Sequence, residues 1–293
     1  MQTLEGLRRK LATTKDLRDI VSTMKTLSAV SINQFERAAV SLGEYDKTVR
    51  EGLKAVLKGG DAMFNFDANS EKQTLVVVFG SDLGLVGRFN KEITKTAVEY
   101  LSKNGLEKDA EFIALGRRCF PLVESMGKKP VGFFTLPSAV KDIVPAAMAL
   151  LVKIDDLCQE KNIKRVVLFN NCKKGNSFAV PVTTEILPIS NDFIKEIKDE
   201  KWPTNQQPIH RTATRELFSS LIKEQLLTWL CRACAESLAS EYATRLATMQ
   251  AAEKNIDEHI DNLTMEFQQK RQDSITNELL DVVSGSEVLK SSK

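Results

Sequence analysis

The chain has 293 residues, 42% of them hydrophobic and 27% charged, and its 41 Lys and Arg against 39 Asp and Glu leave a formal charge of +2. That length accommodates one or two domains with a buried core. The balanced charge argues against a polycationic nucleic-acid binder, and no apolar run approaches the ~18 residues of a membrane-spanning helix.

From the N-terminus, Leu4, Leu7, Leu11, Leu17, Val21, Met24 and Leu27 step at helical intervals, and Phe35, Ala38, Ala39 and Leu42 extend them. No proline precedes Pro121, and Gly59-Gly60 offers a stop. The spacing predicts one helix over residues 1–58. Its early Arg8, Arg9 and Lys10 are mixed with Glu5 and no apolar stretch follows, so it does not read as a secretory signal.

Residues 74–189 change character. Thr74–Phe79 is an apolar run of strand length, and Phe112–Leu115, Val131–Phe134 and Arg165–Phe169 follow. Helical patterns lie between them, at 91–103, 117–126 and 139–161. Strands alternating with helices predict an α/β domain with a largely parallel sheet. Phe178–Ile189 reads as one more extended segment, and 190–208 as a polar, turn-rich connector.

All eight prolines lie between Pro121 and Pro208, and 209–284 contains neither proline nor glycine. Proline costs roughly 3 kcal/mol and glycine about 1 kcal/mol inside a helix, so this stretch predicts a C-terminal helix over 209–285. At 1.5 Å per residue it is on the order of 110 Å long, too long for an ordinary globular domain. Met249, Ile256 and Leu263 recur every seven residues, with Ala252, Ile260 and Phe267 between them and Leu279, Val282 and Val283 beyond. The other face holds Glu253, Lys254, Asp257, Glu258 and Asp261. Two narrow apolar stripes on two long terminal helices are best satisfied by each other, in an antiparallel two-helix coiled coil. Charge agrees modestly: residues 1–58 carry 11 basic and 7 acidic groups, residues 209–293 carry 10 and 13. The fold class expected is therefore α/β, a long antiparallel two-helix coiled coil plus a central Rossmann-like α/β domain.

Candidate chemistry is sparse. The turn Gly80-Ser-Asp-Leu-Gly84-Leu-Val-Gly87-Arg-Phe-Asn90 follows a strand and precedes a helix. It is either a phosphate cradle or a tight strand–helix turn, and its spacing fits neither G-x-G-x-x-G nor a P-loop. Cys231 and Cys234 form a C-x-x-C inside the long helix, with no second pair or His at zinc spacing. Five cysteines, irregularly spaced, argue against a disulfide framework and for a reducing compartment. Asp155-Asp156 has no catalytic partner, and His210 and His259 have no triad partner. No catalytic, cofactor or metal site is expected. One cluster remains, Lys270 to Glu278, where Arg271, Gln272, Thr276 and Glu278 could hydrogen-bond a surrounding partner or form an ordinary solvated face.

Several segments carry a resemblance. Ser237 to Ala252, Lys270-Arg-Gln-Asp-Ser-Ile-Thr-Asn-Glu-Leu279 and Val282-Val-Ser-Gly285 resemble the C-terminal signature of the gamma subunit of F-type ATP synthases. Leu7 to Ile20 with Thr23-Met-Lys-Thr-Leu27, and Ser81 to Asn90, resemble its N-terminal helix and central turn. The turn departs from the family's Asp-Arg-Gly-Leu-Cys-Gly-Gly-Phe-Asn at Leu83, Val86 and Arg88, and Phe267-Gln268-Gln269 replaces Tyr-Asn-Lys. These changes point to a divergent branch, translocating sodium or protons.

The resemblance implies a non-catalytic shaft inside a ring of three alpha and three beta subunits. Epsilon and delta subunits and the membrane c-ring would be its other partners. It would be peripheral, on the cytoplasmic face of a bacterial inner membrane, with no cofactor of its own. Carried over by motif, Arg271, Gln272, Thr276 and Glu278 would meet the catch region of the catalytic subunits. Met24, Lys25 and Arg245 would lie near a lower contact with beta. Leu279, Val282, Val283 and Leu289 would turn in an apolar bearing or form coiled-coil core. The competing readings are a small α/β enzyme and a generic coiled-coil tether.

Overall fold

The computed structural model describes residues 3–59, 73–107, 109–175, 177–200, 202 and 212–291. In chain order these are α1 (Leu4–Gly59), β1 (Thr74–Phe79), α2 (Phe89–Lys103), β2 (Ala110–Leu115), α3 (Phe120–Ser125), β3 (Gly132–Phe134), α4 (Ile143–Glu160), β4 (Arg165–Lys174), β5 (Ser177–Leu187), α5 (Asn191–Asp199) and α6 (Thr214–Ser291). A 3-10 turn at Val140–Asp142 leads into α4. Gly60, the start of the expected C-terminal helix at 209–211 and His210 lie outside the described residues, as does the side chain of Leu289. The chain divides into two compact units: Met1–Leu27 with Leu246–Lys293, and Ser28–Arg245.

The first unit is a pair of helical segments running antiparallel. Arg18 meets Asp257 and Lys25 meets Glu253, so numbers rise along one helix as they fall along the other. Leu7, Val21, Met249 and Leu263 are buried along the seam. Two expected seam residues are instead exposed. Leu27 lies six positions from Val21, which turns it about 120° away from the seam. Leu17 is 49% exposed although it lies only about 40° around the helix from buried Val21. Leu279, Val282 and Val283, expected to continue the stripe, are exposed as well.

The second unit holds a five-stranded sheet in the order β3-β2-β1-β4-β5. β3, β2, β1 and β4 are parallel to their neighbours and β5 returns antiparallel on β4. Every residue of β1 is buried, as a strand covered on both faces requires. Leu75, Val77, Phe79 and Leu168 face one apolar cluster, shared with α4 and the inner parts of α1 and α6. Val76, Val78, Val167 and Phe169 face the other, under α2 and α3. Each such buried Val, Leu or Phe contributes about 1.5–3 kcal/mol.

Within this unit α1 and α6 also pack together. Phe35 stacks on Tyr242, Tyr45 donates to Glu224 at 2.6 Å, and buried Gln225 donates to Asp46 at 2.5 Å. The connector expected over 190–208 contains a helix, α5. Ser190 caps it by accepting from the Phe193 N–H at 3.1 Å, and Ile194 and Ile197, three apart, bury its inner face. The polar residues between those isoleucines masked that short period in the sequence. Among the described residues no helix is long and apolar enough to cross a membrane.

Candidate functional site

The expected contact residues fall into three places. Arg271, Gln272, Thr276 and Glu278 all lie exposed on the distal part of α6. Thr276 Oγ1 donates to the Gln272 carbonyl at 2.9 Å, and Ser274 Oγ lies 3.5 Å from Glu278 Oε1. At 100° per residue the four fall within an arc of about 160°, together with Ile275, Leu279, Val282 and Val283. Leu279 is 61% and Val282 71% exposed. Asp273, Ser274, Asn277 and Asp281 occupy the opposite side. The distal helix therefore presents one face where hydrogen-bonding side chains alternate with solvent-exposed apolar ones, a composition typical of a surface that a partner covers. Ile275 belongs to this face and was not singled out in the sequence; its spacing of four from Arg271 and from Leu279 is the signal that would have found it.

Met24 and Lys25 lie on α1 in the same helical pair. Met24 is half-buried. Lys25 Nζ is 2.5 Å from Glu253 Oε2, with the two side chains 33% and 19% exposed. Lys25 is thus held by its own chain, which fixes the position of its charge on the pair.

Arg245 differs: it lies inside the Ser28–Arg245 unit, 3% exposed, with its guanidinium 2.5 Å from Glu241, itself 6% exposed. Its Nη2 reaches the Leu83 carbonyl at 3.5 Å, and the guanidinium sits 5.3 Å from the Tyr242 ring. Glu241 is pushed up to about 7, first by burial and further by Asp82, against the opposing pull of Arg245.

The turn that Arg245 touches is tied down on all sides. Asn90 Oδ1 accepts from the Ser81 N–H, and its Nδ2 donates to Ser81 Oγ. Asp82 accepts from the Arg117 N–H at 2.9 Å and the Leu136 N–H at 2.7 Å, joining the carboxyl ends of β1, β2 and β3. Gly116, at φ +95°, passes so close that a Cβ would stand 2.7 Å from Ser81 backbone atoms. The Ser81 amide, one of the donors a phosphate cradle would use, is already taken. The turn is a strand–helix joint. Asn90, Asp82 and Glu241 do not stand out as a group in the sequence: Asn90 reaches Ser81 nine positions away, Asp82 reaches partners 35 and 54 positions away, and the Arg245 that pairs with Glu241 touches Leu83 from 162 positions away.

The remaining candidates disperse. Cys231 and Cys234 are buried in the apolar cluster beside the sheet, and burial raises both thiols, Cys231 to about 11. His259 is exposed, and exposed Asp155 accepts from Gln159 at 3.1 Å. Among the described residues no group of His, Cys, Asp and Glu is arranged to hold a metal ion.

The chain has relatives along its whole length. A chain described as ATP synthase gamma chain from Bdellovibrio bacteriovorus is 29% identical over 297 residues, covering 99% of this chain and 100% of that one. Another so described, from Geotalea uraniireducens, is 26% identical over 293 residues, with 99% and 100% covered. The fold matches a chain in the cryo-EM structure of the Euglena gracilis mitochondrial ATP synthase OSCP/F1/c-ring in rotational state 3. There the TM-score is 0.66 at 17% identity, covering 99% of this chain and 95% of that one. A chain of the Tetrahymena thermophila mitochondrial ATP synthase central stalk/c-ring gives a TM-score of 0.54 at 19% identity, with 80% and 99% covered. The model of the family described as ATP synthase spans residues 3–289, and the chain belongs to that family, as one of its gamma chains.

Proposed function

We propose that the chain is the central rotary shaft of an F-type ATP synthase, coupling transmembrane ion flow to ATP synthesis or hydrolysis in a surrounding ring. It is non-catalytic: three alpha and three beta subunits bind and cleave the nucleotide. Epsilon and delta subunits and the membrane c-ring complete its partners. The helical segments within 1–58 and 209–285 enter the ring, while the domain at 74–189, with epsilon, stands on the c-ring. The chain is peripheral, held at the cytoplasmic face of a bacterial inner membrane through that ring.

The observation that carries this reading is the exposed mixed face of distal α6 in a family member matched from end to end. Coupling follows from asymmetry. A pair of unlike helices shows each of three equivalent catalytic subunits a different surface, so each rotational position favours a different open or closed state. The bias is reciprocal, since a change of state in the ring must favour a new position of the shaft. In this reading Arg271, Gln272, Thr276 and Glu278 hydrogen-bond the catch region of the catalytic subunits, and the apolar residues beside them turn against a bearing. Met24 and Lys25 meet the lower part of beta. Arg245, being buried, contributes by holding the Leu83 turn.

Reconstitution tests the reading. The chain mixed with alpha and beta subunits should form a complex in which a bead fixed to the chain rotates when ATP is supplied; absence of assembly would overturn the proposal. With a membrane sector added, Met24→Lys places a new cation beside Lys25 and should lower ions pumped per ATP while hydrolysis persists. Unchanged pumping would remove Met24 from the contact.

A further inference from the structure

From Ile143 to Val152 α4 reads Ile-Val-Pro-Ala-Ala-Met-Ala-Leu-Leu-Val, without one polar side chain. A helix apolar all round is a helix built to be buried on every side, yet α4 is covered on one side only. Ile143, Ala147, Leu150, Ile154 and Leu157 pack in the cluster beside the sheet. Val144, Met148 and Val152, at every fourth residue, are 44%, 53% and 62% exposed. Val140, one such step earlier in the 3-10 turn, is exposed as well. We infer that this face is the docking site for an amphipathic helix of another subunit, three turns of which lie along α4 in the groove that α4 forms with α1. That the helix comes from a subunit of the same assembly rests on the shaft reading.

α2 supplies the internal comparison. It covers the opposite face of the same sheet, and its exposed positions are Lys91, Lys95, Glu99, Ser102 and Lys103. Where one covered face suffices, this chain puts polar residues on the other. Polar residues at 144, 148 and 152 would cost the fold nothing, since those side chains already face water. At 100° per residue the three span about 80°, and exposed Pro145 and Ala149 widen the apolar arc to about 140°. A contiguous apolar surface of that kind marks a place that a partner covers.

The shape of the site selects a helix. Beside Val140, Ile143 and Val144 runs a groove of about 410 Å³, whose other wall is α1 with Ala38, Ser41 and Leu42. Two helices side by side leave a seat for a third, whose residues at i, i+3, i+4 and i+7 enter the groove. From Val140 to Val152 the seat runs about 18 Å, which is three helical turns. Its ends differ in charge. Arg37 lines the groove near Val140 and Lys141 adjoins it, whereas Asp155 and Asp156 follow Val152. All four are exposed and belong to no ion pair among the described residues. The helix that fits carries an acidic residue at the Arg37 end and a basic residue at the Asp156 end.

Photo-crosslinking in the assembled complex tests the proposal. p-Benzoylphenylalanine replaces Val144, Met148 or Val152, one at a time, in the chain reconstituted with alpha, beta, epsilon and delta subunits and the membrane ring. Irradiation should join each variant to the same other subunit, and the linked residues should step along one face of a single helix, three or four apart. Met148→Asp with Val152→Asp should leave the unfolding midpoint of the free chain unchanged and weaken retention of the linked subunit at least tenfold. An assembled complex without a link to another subunit overturns the docking site alone, as does a link to a strand or loop, or undiminished retention in the double variant. Failure of the unaltered chain to assemble overturns the shaft reading, and the docking site with it.

Discussion

Asn90 grips Ser81 twice: its Oδ1 accepts from the Ser81 N–H at 2.9 Å, and its Nδ2 donates to Ser81 Oγ at 2.8 Å. Both residues are buried, and Ser81 Oγ in turn donates a hydrogen bond to the Leu83 carbonyl at 2.9 Å. Asn90→Ala leaves a backbone N–H buried without an acceptor, which costs about 1–3 kcal/mol. Urea unfolding should show a loss of that size at unchanged slope. A loss no greater than that of an exposed control such as Asn104→Ala would mean that water replaces the amide.

Gly116 and Gly105 share a positive φ, +95° and +66°, but not their surroundings. A Cβ on Gly105 meets nothing within 4 Å, whereas on Gly116 it meets Ser81 backbone nitrogen, carbon and oxygen at 2.7 Å. Gly105→Ala should cost only the left-handed backbone term, about 1–2 kcal/mol. Gly116→Ala adds a steric clash that backbone must move to relieve, and should at least double that loss. Equal thermal shifts in the two variants would show that the turn gives way cheaply.

That turn also marks where sequence reading succeeds and where it stops. Thr74–Phe79 could be assigned from its unbroken apolar run, and the two long helices from the distribution of proline and glycine, because both signals are local. The seam was legible in its period but not in its depth: Val21 and Leu27 look alike in composition, and only the partner helix decides that one is buried and the other is not. The four-residue polar cluster at 271–278 could be picked out by its residue types. Its alternation with Ile275, Leu279 and Val282 on one face needed the helix to be continuous through that point. The Glu241–Arg245–Leu83 arrangement could not be read at all, since it depends on a loop and a helix 160 residues apart meeting in space. The i,i+4 spacing of Glu241 and Arg245 looks like any surface pair until burial is known.

Two ion pairs tie the helical pair and differ in exposure. The side chains of Lys25 and Glu253 are 33% and 19% exposed, those of Arg18 and Asp257 47% and 46%. A double-mutant cycle on Lys25→Met and Glu253→Gln should return a coupling of about 1 kcal/mol that survives moderate salt, because partial burial limits screening. The corresponding cycle on Arg18 and Asp257 should be smaller and vanish as salt is raised. The reverse ranking would mean that the seam is wetter than its burial indicates.

Leu279→Ser with Val282→Ser separates a bearing surface from a helix core. Both side chains are already in water in this chain, so its own stability should change by less than about 0.5 kcal/mol per site. If the proposed ring covers them, burial of two aliphatic side chains is lost, and affinity for the alpha/beta assembly should fall by about 10- to 100-fold. Unfolding of the chain by the double substitution, or unimpaired assembly, would each argue against a bearing at this face.

The pH dependence of stability provides the most discriminating reading of Glu241. Its folded-state value is raised from 4.5 to about 7, chiefly by burial. Between those values the folded chain holds a proton that the unfolded chain releases. This contribution to stability is therefore complete below about pH 4.5 and is lost as pH rises toward 7; the total corresponds to at most about 3 kcal/mol. Glu241→Gln cannot titrate, so subtracting its stability from that of the unaltered chain removes the other carboxylates. The difference should move against the unaltered chain from pH 5 to pH 7.5 and then level off. A difference that does not change with pH would mean that burial does not hold Glu241 in its uncharged form.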